Sequence, residues 1–179
     1  MSNKAEGDPL AHAAGSPLAP LHQLLAWLDL AARWGVIAAL SMMTAVVSAQ
    51  VVLRYGFNNS LDWAEEFSRL CFVWSIFLAI PLGVARGAHV GVTLFVARLS
   101  PAFQDRIARA MAALAIGLMV IVLYQSAREL MTSWYETLIS INISVGWFIV
   151  PVAIAAGHSA LHLLNQVFVG PPAAGIPIE

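Results

Sequence analysis

The sequence predicts an all-α integral membrane protein, with four transmembrane helices and a short amphipathic interfacial helix between spans one and two. Two observations predict this class. Of the 179 residues, 60% are hydrophobic and only 11% are charged, whereas soluble domains contain about 45–50% apolar and about 25% charged residues. The charged residues also leave long gaps in the chain, and these approach the roughly 20 apolar residues that a spanning helix needs.

The same composition excludes several other classes of protein. High hydrophobicity with few charges excludes a chain that is disordered throughout. Nine Lys and Arg against ten Asp and Glu leave no basic surface for nucleic acid. Cys71 is the one cysteine, so no internal disulfide can form. We therefore expect one membrane-embedded domain without a nucleic-acid partner.

The gaps between charged residues predict where the helices cross the membrane. Charge-free windows cover 34–53, 70–85 and 110–127, and no charge lies between Glu136 and Glu179. Arginines at the window edges can extend their side chains to the interface, which lengthens a window by about one turn. The predicted spans are therefore about 30–53, 67–86, 107–128 and 145–168.

These spans form a predicted four-helix domain at 21–169, with a loose segment at each end. Residues 1–20 carry three prolines among Gly, Ala and Ser and are predicted to be a disordered leader, and 170–179 a flexible tail. Six of the nine Lys and Arg fall in the N-terminal segment, the second loop and the tail taken together. By the positive-inside rule, both termini are then expected in the cytoplasm.

The first loop contains the signals for the interfacial helix. Residues 58–60 have the composition of a turn. Ser60 or Asp62 can cap the helix that follows, and Asp62 and Glu65 have the spacing of a capping box. Trp63 gives this segment a side that favours the membrane interface.

Histidines are the main candidates for chemistry within the membrane. His158 and His162 lie four residues apart on one face of the fourth predicted span. Haem in a membrane bundle is held by histidines on facing helices, and the first three predicted spans contain none. As metal ligands the pair has no third ligand nearby in the sequence, so polar histidines at a helix end are the simpler interpretation. We predict no cofactor, no metal site and no catalytic residue, and hence no enzyme.

None of the charge-free windows contains Asp, Glu, Lys or Arg, so the charged residues of the predicted spans lie only near their ends. A carrier that couples transport to an ion normally keeps an ionisable group inside the membrane. This chain is therefore not expected to bind a charged substrate at the middle of the membrane. Ala31, Gly35 and Ala39 form a face of small residues on the first span, for packing either within the chain or with a partner. Trp74 in the second span could face lipid, but packing against a partner's helix is the favoured interpretation.

Several short motifs between about residues 50 and 92 occur in an order that is typical of one transporter family. They are Arg54-Tyr55-Gly56-Phe57, Asp62-Trp63-Ala64-Glu65-Glu66, Trp74, and Arg86-Gly87-Ala88-His89-Val90, followed later by Gly146-Trp147 and Pro151. In this combination the chain resembles the small permease subunit, DctQ type, of tripartite ATP-independent periplasmic (TRAP) transporters.

The resemblance implies a chain without catalytic function that works in a complex in the bacterial inner membrane. In that family a large permease subunit carries the substrate and sodium sites, and a periplasmic substrate-binding protein delivers an organic acid. The small subunit is thought to brace the large one among the membrane lipids. The positions implied to contact the partner subunit are Arg54, Glu65, Glu66, Trp74, Arg86 and His89.

Other interpretations stay open at this point. Arg54 and the two glutamates could be ordinary charges at helix ends, and Arg86 and His89 could contact anionic lipid. The whole chain could instead be a membrane-anchor or haem-binding subunit of a respiratory oxidoreductase, which the distribution of histidines disfavours. It could also be a small transporter that works alone as a homo-oligomer, which the lack of charge within the spans disfavours.

Overall fold

A computed structural model describes residues 19–86 and 101–169, and these ranges contain four helices and no β-sheet. In chain order they are α1 (Ala19–Gly56), α2 (Ala64–Ala85), α3 (Pro101–Ser133) and α4 (Gly146–Val169). Each helix includes a stretch that is long and apolar enough to cross a membrane. The predicted all-α fold with four spanning helices is therefore confirmed.

The first helix is much longer than the span that the charge-free window indicated. α1 begins at Ala19, before residue 30 where that span was expected to start, because single charged residues at 29 and 33 do not interrupt a helix. Its 38 residues extend for about 57 Å at 1.5 Å per residue. The predicted leader up to residue 18 and the tail at 170–179 lie outside the described residues.

Between α1 and α2 the chain turns without forming a separate helix. Asn58 has a positive φ of 49°, a conformation that asparagine tolerates, and α1 ends just before it. α2 begins at Ala64 with Trp63 as its N-cap, and no side chain makes a cap hydrogen bond. The separate interfacial helix is thus not confirmed. The prediction that Ser60 or Asp62 caps this helix is wrong, since the Ser60 hydroxyl donates instead to the Asp62 carboxylate at 3.4 Å.

The helices are arranged as a layer in the order α1, α2, α4, α3. α2 packs along both α1 and α4, α3 packs along α4, and α1 touches α4 at few points. The inner helices are consequently better buried than the outer ones. In the most apolar window of each helix, 39% of α4 is buried, compared with 0% of α1 and 6% of α3. Most of the apolar surface of the two outer helices is available to lipid or to another protein chain.

Gly35 lies where α1 packs closely against α2. A Cβ atom at this position would lie 2.7 Å from Cδ1 of Leu78, a buried side chain of α2. Small residues on spanning helices permit such a close approach of two backbones. At Gly35 the face of small residues on α1 therefore packs within the chain. Gly83 of α2 has no such close neighbour, since a Cβ atom there would meet no atom within 4 Å.

A short hairpin joins α3 to α4. Thr137 and Ser144 form an antiparallel bridge, and Asn142 at its turn has a φ of 51°. Gly146, the first residue of α4, is closely surrounded. A Cβ atom at this position would lie 2.8 Å from Cε3 of Trp134. This end of the α3–α4 pair therefore requires glycine for steric reasons.

Replacing Gly35 by leucine should force α1 away from α2, because the new side chain has no space beside Leu78. Overpacking of this kind costs about 1–3 kcal/mol. We expect the free energy of unfolding of G35L in detergent to fall by about that amount, as measured by denaturant unfolding followed by circular dichroism.

Gly117→Leu on α3 is the matched control, since a Cβ at Gly117 would meet no atom within 4 Å. Its unfolding free energy should stay within about 0.5 kcal/mol of the parent value. Equal destabilisation by the two substitutions would contradict the α1–α2 packing described above.

Candidate functional site

The residues expected at a subunit interface lie in two groups at opposite ends of α2. Glu65 and Glu66 are in its first turn, and Arg86 follows its last residue as the C-cap. A helix of 22 residues places these groups about 33 Å apart. Arg54 is in the last turn of α1, near the first group, and His89 lies outside the described residues.

The two glutamates of α2 have different surroundings. Glu66 Oε2 accepts a hydrogen bond from the backbone N–H of Ser140 at 3.0 Å, which ties the start of α2 to the α3–α4 hairpin. Glu65 forms an ion pair with Arg69 at 2.8 Å, and both side chains are largely exposed. Exposed pairs of this kind contribute little to stability. Glu66 therefore has a structural partner within the chain, whereas Glu65 and Arg69 present charge on the surface.

Trp74 makes its hydrogen bond within the chain. Its indole N–H donates to the backbone carbonyl of Trp147, in the first turn of α4, at 3.0 Å. The rings of Trp74 and Trp147 lie 6.2 Å apart between centroids, and Trp134 lies 6.5 Å from Trp147 on the other side. Three tryptophans thus connect α2, α4 and the end of α3. The indole of Trp74 is half-buried, so one side of it remains open.

An apolar groove lies between α1, α2 and α4 beside Trp74. Its volume is about 420 Å³, and small residues of α1, among them Ala31 and Gly35, form part of its wall. Trp74 and Leu78 line it from α2, and His158 lines it from α4. A polar group of α4 is therefore present at the edge of an otherwise apolar groove.

A second groove, of about 460 Å³, lies beside the C-terminal part of α3 and is formed largely by polar side chains of that helix. Its lining residues are Gln125, Ser126, Arg128, Glu129, Thr132 and Ile149. The polar groups lie in the last part of α3, toward the same end of the bundle as Glu65. A polar surface on a membrane helix is unfavourable against lipid, so this surface is a candidate for contact with protein or headgroups.

Three ionisable side chains converge where the N-terminal half of α1 meets α4. Asp29 Oδ1 lies 3.0 Å from Nε2 of His158 and 2.8 Å from Nε2 of His162. The two Nε2 atoms are themselves 3.1 Å apart. Both histidines are buried, and the Asp29 side chain is 22% exposed. We refer to Asp29, His158 and His162 as the Asp–His cluster.

The Asp–His cluster corrects the interpretation of these histidines as polar groups at a helix end. His158 lies near the middle of α4, and both imidazoles pack against α1. Both rings also project from the same helix, with their Nε2 atoms 3.1 Å apart. Two axial ligands of one haem must approach the iron from opposite faces of the macrocycle, so this pair does not form a bis-histidine haem site.

Asp29 was missed as a functional residue because the first span was taken to begin at residue 30. No acidic residue lies near the pair on α4 in the sequence, and the fold brings a carboxylate to it from a residue 129 positions away. A signal was present in the sequence: Asp29 interrupts the apolar stretch Trp27-Leu28-Asp29-Leu30. An acidic residue within apolar neighbours on a membrane helix is a functional candidate.

Comparison with known proteins assigns the chain to a family. Residues 43–170 match the family model described as "Tripartite ATP-independent periplasmic transporters, DctQ component". This range includes only the C-terminal part of α1, all of α2 and α3, and α4 with both of its histidines. Asp29 lies before it.

Individual relatives agree with this match. A protein of Vibrio cholerae described as "Sialic acid TRAP transporter small permease protein SiaQ" is 26% identical over 72% of this chain and 75% of its own. Two proteins of Haemophilus influenzae, each described as "Putative TRAP transporter small permease protein", are 43% and 32% identical over 36% and 61% of this chain. The matched segments span 40% and 66% of the length of those two relatives. The chain belongs to the DctQ family, the small permease component of TRAP transporters.

Proposed function

We propose that this chain is the small membrane subunit of a TRAP-type secondary transporter and that it braces the large permease subunit. The large subunit imports an organic acid with a sodium or other ion gradient, after a periplasmic substrate-binding protein delivers it. The family match over residues 43–170 is the observation that carries this proposal. Two relatives are described as sialic acid and C4-dicarboxylate transporter subunits, and both substrates are carboxylates, which supports the substrate class.

The layered arrangement of the helices supports a bracing role. α1 and α3 each pack mainly against one neighbour and leave most of their apolar surface uncovered by this chain. A protein that transports a substrate needs a binding site, and in helical proteins such a site is enclosed by several helices. A layer whose two outer helices are largely uncovered is better suited to lie along a larger membrane protein than to enclose a substrate.

The partner contacts fall into two groups. At the hairpin end, the exposed ion pair of Glu65 and Arg69 and the polar groove on α3 offer charge and hydrogen bonds, and Arg54 lies at the same end. These groups would contact the large subunit, since polar contacts satisfied by protein avoid exposure to lipid. Trp74 adds the open side of its indole at the apolar groove.

Arg86 lies at the opposite end of the bundle, and His89 follows it three positions later in the sequence. Arg86 directly follows α2, and its side chain would reach either the large subunit or anionic lipid headgroups. An even number of spans favours two termini on one side of the membrane, and the distribution of Lys and Arg supports the cytoplasm as that side. We expect a multi-pass protein of the bacterial inner membrane, with the α3–α4 hairpin facing the periplasm.

Reconstitution separates a bracing subunit from a transporter that works alone. Vesicles that contain only this chain should show no uptake of the organic acid under an inward sodium gradient, because this chain would lack the substrate site. Vesicles with both permease subunits and the binding protein should accumulate the acid. Uptake by this chain alone would refute the proposal.

Replacing Glu65 and Glu66 with glutamine tests the contact at the hairpin end. Glutamine keeps an amide oxygen that can still accept the Ser140 N–H, so the double substitution removes charge while preserving the tie to the hairpin. We expect at least a threefold loss of large subunit recovered in co-purification, equivalent to about 0.7 kcal/mol.

Glu136→Gln is the matched control for this experiment. Glu136 is an exposed acidic residue at the same end of the bundle, and it is not among the implied contact positions. Its substitution should leave recovery of the large subunit unchanged. Assembly and uptake that survive the Glu65 and Glu66 double substitution at parental levels would overturn the proposed contact.

A further inference from the structure

We propose that the Asp–His cluster binds one divalent first-row transition metal ion, of the chemical class to which Zn²⁺ belongs. Asp29 Oδ1 and the Nε2 atoms of His158 and His162 form a triangle with sides of 2.8, 3.0 and 3.1 Å. The ligand atoms of these three side chains thus meet at one point between α1 and α4. Two imidazoles with one carboxylate are a common ligand set for such ions.

Hydrogen bonding alone does not account for all three contacts. Asp29 can accept from both imidazoles only if each Nε2 carries a proton. The two N–H groups would then face each other across 3.1 Å with no acceptor between them. If one Nε2 is unprotonated, it can accept from the other imidazole, but its lone pair then faces the carboxylate oxygen. A metal ion placed among the three atoms would accept one lone pair from each of them.

The size of the triangle fits the ion. Bonds of about 2.1 Å place neighbouring ligand atoms about 3.0 Å apart on an octahedral face and about 3.4 Å apart on a tetrahedral one. The observed sides match the first value and fall a few tenths of an ångström short of the second. The two imidazole planes are inclined by 34° with centroids 4.9 Å apart, so the rings converge at their Nε2 atoms.

The surroundings leave further coordination positions available. The side chains of His158 and His162 are only 4% and 8% exposed, whereas that of Asp29 is 22% exposed. Three protein ligands with an opening on one side are typical of a site that keeps water or another small ligand on the metal. Na⁺, Mg²⁺ and Ca²⁺ prefer oxygen ligands, so two imidazoles disfavour these ions.

This site goes beyond what family membership implies. Asp29 lies outside the range that matches the family model, and it is on α1, a helix that has few contacts with α4. A metal ion held by both helices would fasten this part of α1 to α4. The nearby hydrogen bond between His22 and Asn165, at 3.0 Å, joins the same two helices without a metal.

The test is direct measurement of bound metal. The full-length chain, carrying an affinity tag without histidines, is purified in detergent, incubated with ZnCl₂ and dialysed, and its metal is quantified by mass spectrometry. We expect about one zinc per chain for the parent protein. Asp29→Asn and His158→Gln should each lower zinc affinity by at least about 10-fold, because each removes one of the three ligands.

His22→Gln is the matched control, since it alters the other polar contact between α1 and α4 and leaves the cluster intact. This variant should retain zinc at the parental level. Equal zinc binding by the parent, D29N and H158Q would overturn the proposal, as would a parent that retains no zinc. Loss of zinc in H22Q equal to that in D29N would also count against it, because helix disruption alone would then explain both.

A second measurement does not depend on folding of the variants. Co²⁺ titrated into the parent protein should give visible d–d absorption bands that saturate at about one equivalent and disappear when Zn²⁺ is added, because both ions would occupy the same ligand set. A parent protein that gives no such bands, or bands that Zn²⁺ does not remove, would contradict the site.

Discussion

Helices in a bilayer gain little from burying apolar surface against one another, because lipid is as apolar as the side chains. Close backbone packing and polar contacts must therefore hold this chain together. α4 receives most of these contacts. The indole of Trp74 on α2 donates to its first turn, Gln166 of α4 donates to the carbonyl of Val84 near the end of α2 at 2.9 Å, and Asp29 of α1 meets its histidines.

The same constraint explains the shape of the molecule. α1 and α3 lie at the edges of the layer, and each relies on one neighbouring helix for most of its packing. On α1 that contact depends on Gly35, where any larger residue would meet Leu78. Much of the remaining surface of both helices is apolar and uncovered by this chain, which suits a subunit that lies against a larger membrane protein.

Much of this architecture could be predicted from the sequence, because crossing a membrane requires long apolar segments that charged residues avoid. The four helices follow from that pattern, and the start of α3 at Pro101 agrees with the preference for proline in the first helical turn. The contacts of Trp74 and Asp29 could not be predicted, since their partners are 73 or more positions away in the chain. The interfacial helix was expected from local capping signals, which the start of α2 at Ala64 does not use.

The Asp–His cluster changes the meaning of the charge-free spans. The windows themselves contain no charged residue, but α1 continues beyond its window and brings a carboxylate against buried imidazoles of α4. This ionisable site lies where two helices of the same chain are joined, in the half of the bundle nearer the termini. We interpret it as a fastening between helices, which is compatible with a subunit that holds a transporter in place.

A chain that works as the fixed partner of a larger permease must be found in a stable complex with it. The most direct measurement is affinity purification of the chain from its native membranes in mild detergent, with every recovered protein identified by mass spectrometry. We expect a permease of many spans, recovered in a constant ratio to this chain. Recovery of this chain as a homo-oligomer alone, or together with redox subunits that carry haem or flavin, would contradict it.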